Sequence, residues 1–420
     1  MQTNQHTPFI YFSKQLIKTA LSPILLCFLL ALTFHSGLHA QQKNKTYFPP
    51  AGAWDKQTPA KSGFDSTQLQ QAIQFAIDNE SKRPRDIRLS QQLDYSKEPF
   101  SEPIGPLGFR GDPTGIIIHH GYLIASWGNP DQVEITNSVS KSFLSTTVGL
   151  AIDKGLIHHV TDTIADYVKT IQLYNPAEHD APELIYPFSN TQNRKLNWDV
   201  MLRQTSDWEG TLWGKPDWAD RPDKDSTTWL TRKRNEPGTV FEYNDVRVNA
   251  LALATTLVWR KPLPEVLKTY IMDPIGASGT WQWYGYNNSW IVLDGKAIQS
   301  VSGGGHWGGG MFINAWDMAR FGLLTLHKGN WNGKQLISAD WIKQSTTATT
   351  ANTGYGFMNF FLNTNKKYYP AVPENAFIHL GNGTNIIYAD PRHDLVVVCR
   401  WINSPAINDF LGKVLASLKD

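Results

Sequence analysis

Strand-forming sequence lies at two separated places in this chain, with mostly helical sequence between them. The stretch "TGIIIHHGYLIASWGN" (114–129) is two apolar runs about a His-Gly pair, the pattern of a hairpin with a tight turn. Strand patterns return only near the end, as "GYGFMNFFLNT", "AFIHLG", "NIIYADP" and "DLVVVCRW". Between them, "NWDVMLRQTS", "VRVNALALATTLVWR", "AWDMARFGLLTLHKG" and "SADWIKQST" carry helical spacing. Helices also flank the strands: "STQLQQAIQFAIDNE", opened by Asp65 or Ser66, and a last one at about 405–419. The order implies an α+β fold: a mostly antiparallel sheet assembled from both parts of the chain, covered by the first and last helices, with a mostly helical insert. Residues 113–135 and 300–420 would form the α/β part and 136–299 the insert. Residues 41–112 would be an arm, a helix and a loop leading in, with 81–112 reading as loop.

Residues 1–40 read as an export signal. Lys14 and Lys18 precede the apolar run "ALSPILLCFLLALTF", which is short for a membrane span, and a small-residue site follows at Ala40. The expectation is an exported protein of a bacterial periplasm or secreted, meeting a membrane only through this segment if it is uncleaved. Cys399 is then the one cysteine of the mature chain, and its place in "DLVVVCRW" suits a buried small hydrophobe. A net charge of +2 on 420 residues, without long basic runs, excludes the electrostatic footprint of a nucleic-acid binder.

Chemistry enters at "TNSVSKSFLS" (136–145), directly after the hairpin. Ser138 stands at the first turn of a helix, where free N–H groups and the dipole favour a developing oxyanion. Lys141 shares its face, within reach of the hydroxyl. A serine needs a base to become a nucleophile, and an amine serves only when neutral. An ordinary capped helix start with a solvated lysine has the same sequence, so two further stretches matter. "PGTVFEYNDVRVNALA" sets Tyr243 just before a helix, where a phenol can relay a proton. "FIHLGNGTNIIYADP" sets His379, Leu380 and Gly381 on a strand followed by glycine turns that let backbone approach a ligand.

The trio "SVSK", "YND" and "HLG", in that order, resembles the three motifs of the penicillin-recognising serine hydrolases. Within them it looks like the branch of class C β-lactamases, related esterases and DD-peptidases, and 6-aminohexanoate-dimer hydrolases. The likeness runs from about 110 to 405. It implies a serine β-lactamase-like fold and a hydrolase working through an acyl-enzyme. By the resemblance Ser138 is the nucleophile, Lys141 takes its proton, and Tyr243 assists and protonates the leaving group. The N–H groups of Ser138 and Asn382 would form the oxyanion hole, and His379, Gly381 and Asp245 would meet substrate. No metal or organic cofactor is implied, and the expected partner is a small ester or amide.

Two departures bear on substrate. The strand motif of β-lactamases usually begins with Lys, a cation that helps hold the substrate carboxylate; His379 is mostly neutral at pH 7. The second motif commonly ends in Asn, whereas this chain has Asp245; facing inward it would oppose Lys141 as a base, and the alternative is that it turns toward Arg247. Because of His379, ester or amide cleavage is favoured over the alternative of a β-lactamase or DD-peptidase on the same machinery; Ser138, Lys141 and Tyr243 together argue against a non-catalytic penicillin-binding-like sensor, which Asp245 leaves open. The metallohydrolase motif HExxH and the α/β-hydrolase elbow G-x-S-x-G are both missing from the sequence. Trp208, Trp213, Trp218, Trp229, Trp281, Trp283 and Trp290 lie in loop-like sequence, where packing of loops onto the body is favoured over a pocket wall.

Overall fold

Strands from the two parts of the chain pair with one another. The computed structural model describes residues 46–174, 176 and 183–419, so the expected export signal lies outside the described residues. Asp65 opens α1 (Ser66–Asp78) by accepting from the N–H groups of Thr67 and Gln68 at 2.9 and 3.0 Å, a cap worth about 1 kcal/mol. Then come α2 (Ile87–Tyr95), β1 (Thr114–His119), β2 (Tyr122–Trp127) and a 3₁₀ turn, Asn137–Val139, that runs straight into α3 (Ser140–Asp153). After α4 (Asp245–Trp259) follow β3 (Gln282–Leu293), β4 (Gly310–Ile313) and α5 (Ala315–Leu326). Four strands, β5 (Phe361–Leu362), β6 (Phe377–Gly381), β7 (Asn385–Asp390) and β8 (Leu395–Arg400), lead to the last helix, α6 (Ile407–Ala416).

The main sheet has the order β5-β6-β7-β8-β1-β2, with all neighbours antiparallel. Ile117 of β1 stands opposite Val397 of β8, the register that joins early to late sequence. Alternate side chains go to opposite faces. Ile116, Ile118, Val396 and Val398 enter one core with residues of α3, α4 and α5. Ile117, Val397 and Cys399 enter another with Leu69 and Ile73 of α1 and Phe410 and Leu411 of α6. Burial on both faces explains why these strands are unbroken apolar runs, and why Cys399, fully buried, has its thiol pKa pushed up. In the β1–β2 turn His120 and Gly121 both have positive φ, 51° and 83°, as a two-residue hairpin loop of this twist requires. A side chain at Gly121 would put its Cβ 1.7 Å from the Tyr47 carbonyl oxygen.

Two expectations need correction. The stretch 81–112 is not all loop, since it contains α2. That helix escapes hydrophobic periodicity because it buries Ile87, Ser90 and Gln91 and exposes Leu89 and Leu93. Nor is the insert mostly helical throughout: β3 and β4 join Glu134–Ile135, Ile171–Tyr174 and Glu183–Ile185 in a second sheet, with Lys296–Val301 paired to β3. Its longest strand is rich in the aromatic and β-branched residues that suit a pleated surface. Of the tryptophans, Trp208, Trp213, Trp281 and Trp283 are buried packing residues, while Trp218, Trp229 and Trp290 stay partly exposed.

Candidate active site

The end of β6 and the start of α3 meet face to face. Gly381 lies against the Thr136 carbonyl so closely that a Cβ there would fall 1.9 Å from its oxygen. Across the same junction the Asn137 amide Nδ2 donates to the Asn382 carbonyl oxygen at 3.0 Å. Asn137, with φ 50°, turns the chain sharply just before Ser138. Ser138 opens onto a cleft of about 550 Å³ lined also by Tyr243, Leu380, Gly381 and Asn382. Among the described residues, neither the Ser138 nor the Asn382 backbone N–H has a protein acceptor.

One turn along, Lys141 is completely buried and its Nζ donates to Ser138 Oγ at 3.0 Å. The same nitrogen lies 2.6 Å from Asp245 Oδ1 and 4.6 Å from the centre of the Tyr243 ring. The sequence Tyr243-Asn244-Asp245 positions these groups through a helix cap. The Asn244 side chain accepts from the Arg247 N–H at 3.1 Å, so α4 starts at Asp245 and Tyr243 stays outside it, at the cleft wall. Asp245 points inward, and the alternative pairing with Arg247 does not occur. Arg247 instead binds Asp207 and Glu242, at 2.6 Å each. Asp245 was expected to meet substrate; being 1% exposed, it meets Lys141 instead.

Charges of alternating sign continue outward from this pair. Arg221 lies 4.0 Å from Asp245 and 5.0 Å from the Tyr243 ring centre, and pairs with Asp220. His306 is bonded to Glu98 at 2.8 Å and lies 3.7 Å from Asp220. Desolvation opposes ionisation of Asp245, but Lys141, Arg221 and His306 outweigh it and hold the carboxyl below the usual range. Burial, with the Asp245 charge second, pushes the Tyr243 phenol well up; Arg221 and the Ser138 hydroxyl act in the opposite sense. Glu98, Asp220 and His306 bring one ligand atom each within 4.8 Å, the group among the described residues that could hold a metal ion. Arg221, paired with Asp220, already supplies positive charge there.

A glycine-dense loop, "SGGGHWGGG" (302–310), reaches the same place. A Cβ on Gly304 would lie 2.2 Å from Lys141 Nζ and 2.5 Å from Asp245 Oδ2, so bare backbone covers the pair. Six glycines within 303–310 are themselves a sequence sign of close backbone approach, whereas Arg221, Asp220 and Glu98 are ordinary charges in loop sequence.

His379 requires a correction. It is fully buried, away from the cleft, among Phe321, Phe360 and Phe377, with Nδ1 2.9 Å from Ser142 Oγ. Desolvation pushes its pKa down to about 3, so it offers no charge to a substrate. Strand alternation puts it on the face opposite Leu380, and Gly381, on its own face but at the strand end, lines the cleft with Leu380.

Comparison with known proteins bears on the family and the fold. The family model described as Beta-lactamase matches residues 117–401. A 6-aminohexanoate-dimer hydrolase of Paenarthrobacter ureafaciens is 25% identical over 294 residues, covering 64% of this chain and 66% of that protein, just under two thirds of its length. Among solved structures, a penicillin-binding protein homologue from Caulobacter crescentus superposes with a TM-score of 0.52 at 13% identity, covering 84% of this chain and 98% of that one. A β-lactamase/D-alanine carboxypeptidase from Yersinia pestis gives 0.52 at 15% identity, covering 84% and 99%. At such identities these two likenesses concern the fold.

Proposed function

We propose, from the premise that this chain belongs to the Beta-lactamase family of serine hydrolases, that it cleaves an ester or amide bond through an acyl-enzyme on Ser138. The observation that carries the reading is the contact of Lys141 Nζ with Ser138 Oγ at 3.0 Å, buried on the lysine side and open to a cleft on the serine side. Ser138 Oγ attacks the carbonyl carbon while its proton passes to the Lys141–Tyr243 pair. The N–H groups of Ser138 and Asn382 receive the oxyanion. Collapse of the tetrahedral intermediate expels the alcohol or amine, which takes a proton from Tyr243; a water molecule activated by the same groups then releases the acid.

The ion pair with Asp245 adds a requirement. While Lys141 is held by Asp245, 2.6 Å away, it is not free to take the Ser138 proton, and the role of base falls to Tyr243. The same pair favours a second reading, a sensor that binds without turnover. Small esters and amides are preferred to β-lactams because the motif strand presents no cation, His379 being buried and neutral. The similarity to a 6-aminohexanoate-dimer hydrolase supports an amide substrate. Export remains part of this reading, and a mature protein beginning at Gln41 is the expected result of N-terminal sequencing.

Labelling by a fluorophosphonate probe tests the proposal: wild type is modified at Ser138 and Ser138→Ala is not. Equal labelling of both overturns the mechanism, and labelling of neither supports the sensor. Faster turnover of a chromogenic cephalosporin than of a short p-nitrophenyl ester reverses the substrate preference.

A further inference from the structure

We infer that Asp94, on α2, is a positioning residue that sets the Asn382 N–H for the oxyanion, which rests on the acyl-enzyme reading above. The residue stands outside the family-matched region, 117–401, in a stretch whose sequence carries no motif. One Asp94 oxygen accepts from Asn382 Nδ2 at 2.8 Å; the other is held by Arg83. Tyr95, next along the helix, brings its hydroxyl within 3.3 Å of the same nitrogen.

The remaining polar groups of Asn382 are also engaged. Its Oδ1 accepts from the Gly383 N–H at 2.9 Å, and its carbonyl accepts from Asn137 Nδ2 and Asn385 Nδ2, both at 3.0 Å. Of the polar groups of Asn382, the peptide N–H is the one for which no acceptor is found among the described residues, and Asn382 lines the cleft beside Ser138. The loop needs such restraint, because Gly383 and Thr384 follow with φ of 72° and 61°, conformations that turn the peptide planes sharply. An oxyanion donor is effective only when fixed before the charge develops, and its removal costs on the order of 10²–10³ in kcat. A tether to a partly buried carboxylate, itself held by Arg83, supplies that fixation. The same segment also holds the other wall of the site: Gln91 Nε2 donates to the Gly305 carbonyl at 3.0 Å, and Glu98 binds His306.

The test compares full-length wild type with Asp94→Ala, Asp94→Asn and Asn382→Ala, measuring kcat and KM on a short p-nitrophenyl ester, the rate of fluorophosphonate labelling, and Tm. Asp94→Ala lowers kcat and the labelling rate about 10- to 100-fold with KM changed less than twofold. Asp94→Asn, whose amide oxygen still accepts from Asn382, recovers most of the loss. Asn382→Ala, which keeps the peptide N–H but removes the tether, reproduces the loss without touching α2. The inference is overturned if Asp94→Ala keeps at least half of kcat, if the change appears in KM alone, or if Asp94→Asn recovers nothing at unchanged Tm. Labelling of wild type and Asp94→Ala at equal rates sinks this inference alone. A wild type that is neither labelled nor active sinks it together with the acyl-enzyme reading.

Discussion

The Asp245 carboxylate lies 2.6 Å from Lys141 Nζ, both groups withdrawn from water, so the residue proposed to deprotonate Ser138 is itself paired with an anion. In the proposed mechanism that relationship controls when the site can work. It also distinguishes this chain from one with a neutral amide at the same position.

Asp245→Asn removes the ion-pair partner of Lys141 and a charge that contributes to raising the Tyr243 phenol. With the anion gone, the Tyr243 phenol loses its proton at lower pH, so the ascending limb of the kcat/KM profile moves in the acid direction. A shift of about one unit, equivalent to about 1.4 kcal/mol, is expected. A limb that stays in place or moves toward higher pH would refute the assignment of Asp245 as the group opposing the base.

Gly304→Ala forces a methyl group against Lys141 Nζ and Asp245 Oδ2. The pair must move, because 2.2 Å is far inside van der Waals contact and both partners are buried. Ester hydrolysis should fall at least about 10-fold. Tm should drop by only a few degrees, since the loop is not part of the main sheet. Unchanged activity in a folded variant would show that the glycine loop does not shape the site.

His379 links stability to pH. Its folded pKa of about 3 is below the free value of 6.5, so between these values the unfolded chain binds the extra proton. The contribution is complete above about pH 6.5 and is lost progressively as pH falls toward 3. His379→Gln removes the titration, so thermal unfolding followed by circular dichroism from pH 7 to pH 4 should show a flatter acid decline than wild type. Parallel curves would mean that His379 is not held neutral by its aromatic surroundings.

What could be read from sequence was what repeats locally or is chemically rare. The unbroken runs at Ile116–Ile118 and Val396–Val398 announced strands buried on both faces, and the order of "SVSK", "YND" and "HLG" announced the family. Helical spacing of three residues set Lys141 near Ser138 without any help from the fold, because both lie within one turn of chain. The direction of Asp245 was open, since it depends on which of several cations the folded chain brings near: Lys141 arrives from α3 and Arg221 from a loop, while Arg247 is taken by Asp207 and Glu242. His379 was misplaced for a related reason, because strand parity is visible in sequence but the face that meets the cleft is fixed only by packing. The tether from Asp94 to Asn382 joins residues far apart in the chain, and α2, which exposes Leu89 and Leu93, gave no periodic sign of its position. Local spacing thus determined the pairs within one turn, and tertiary packing, which alone decides which distant charges share a dry volume, determined how those pairs are tuned.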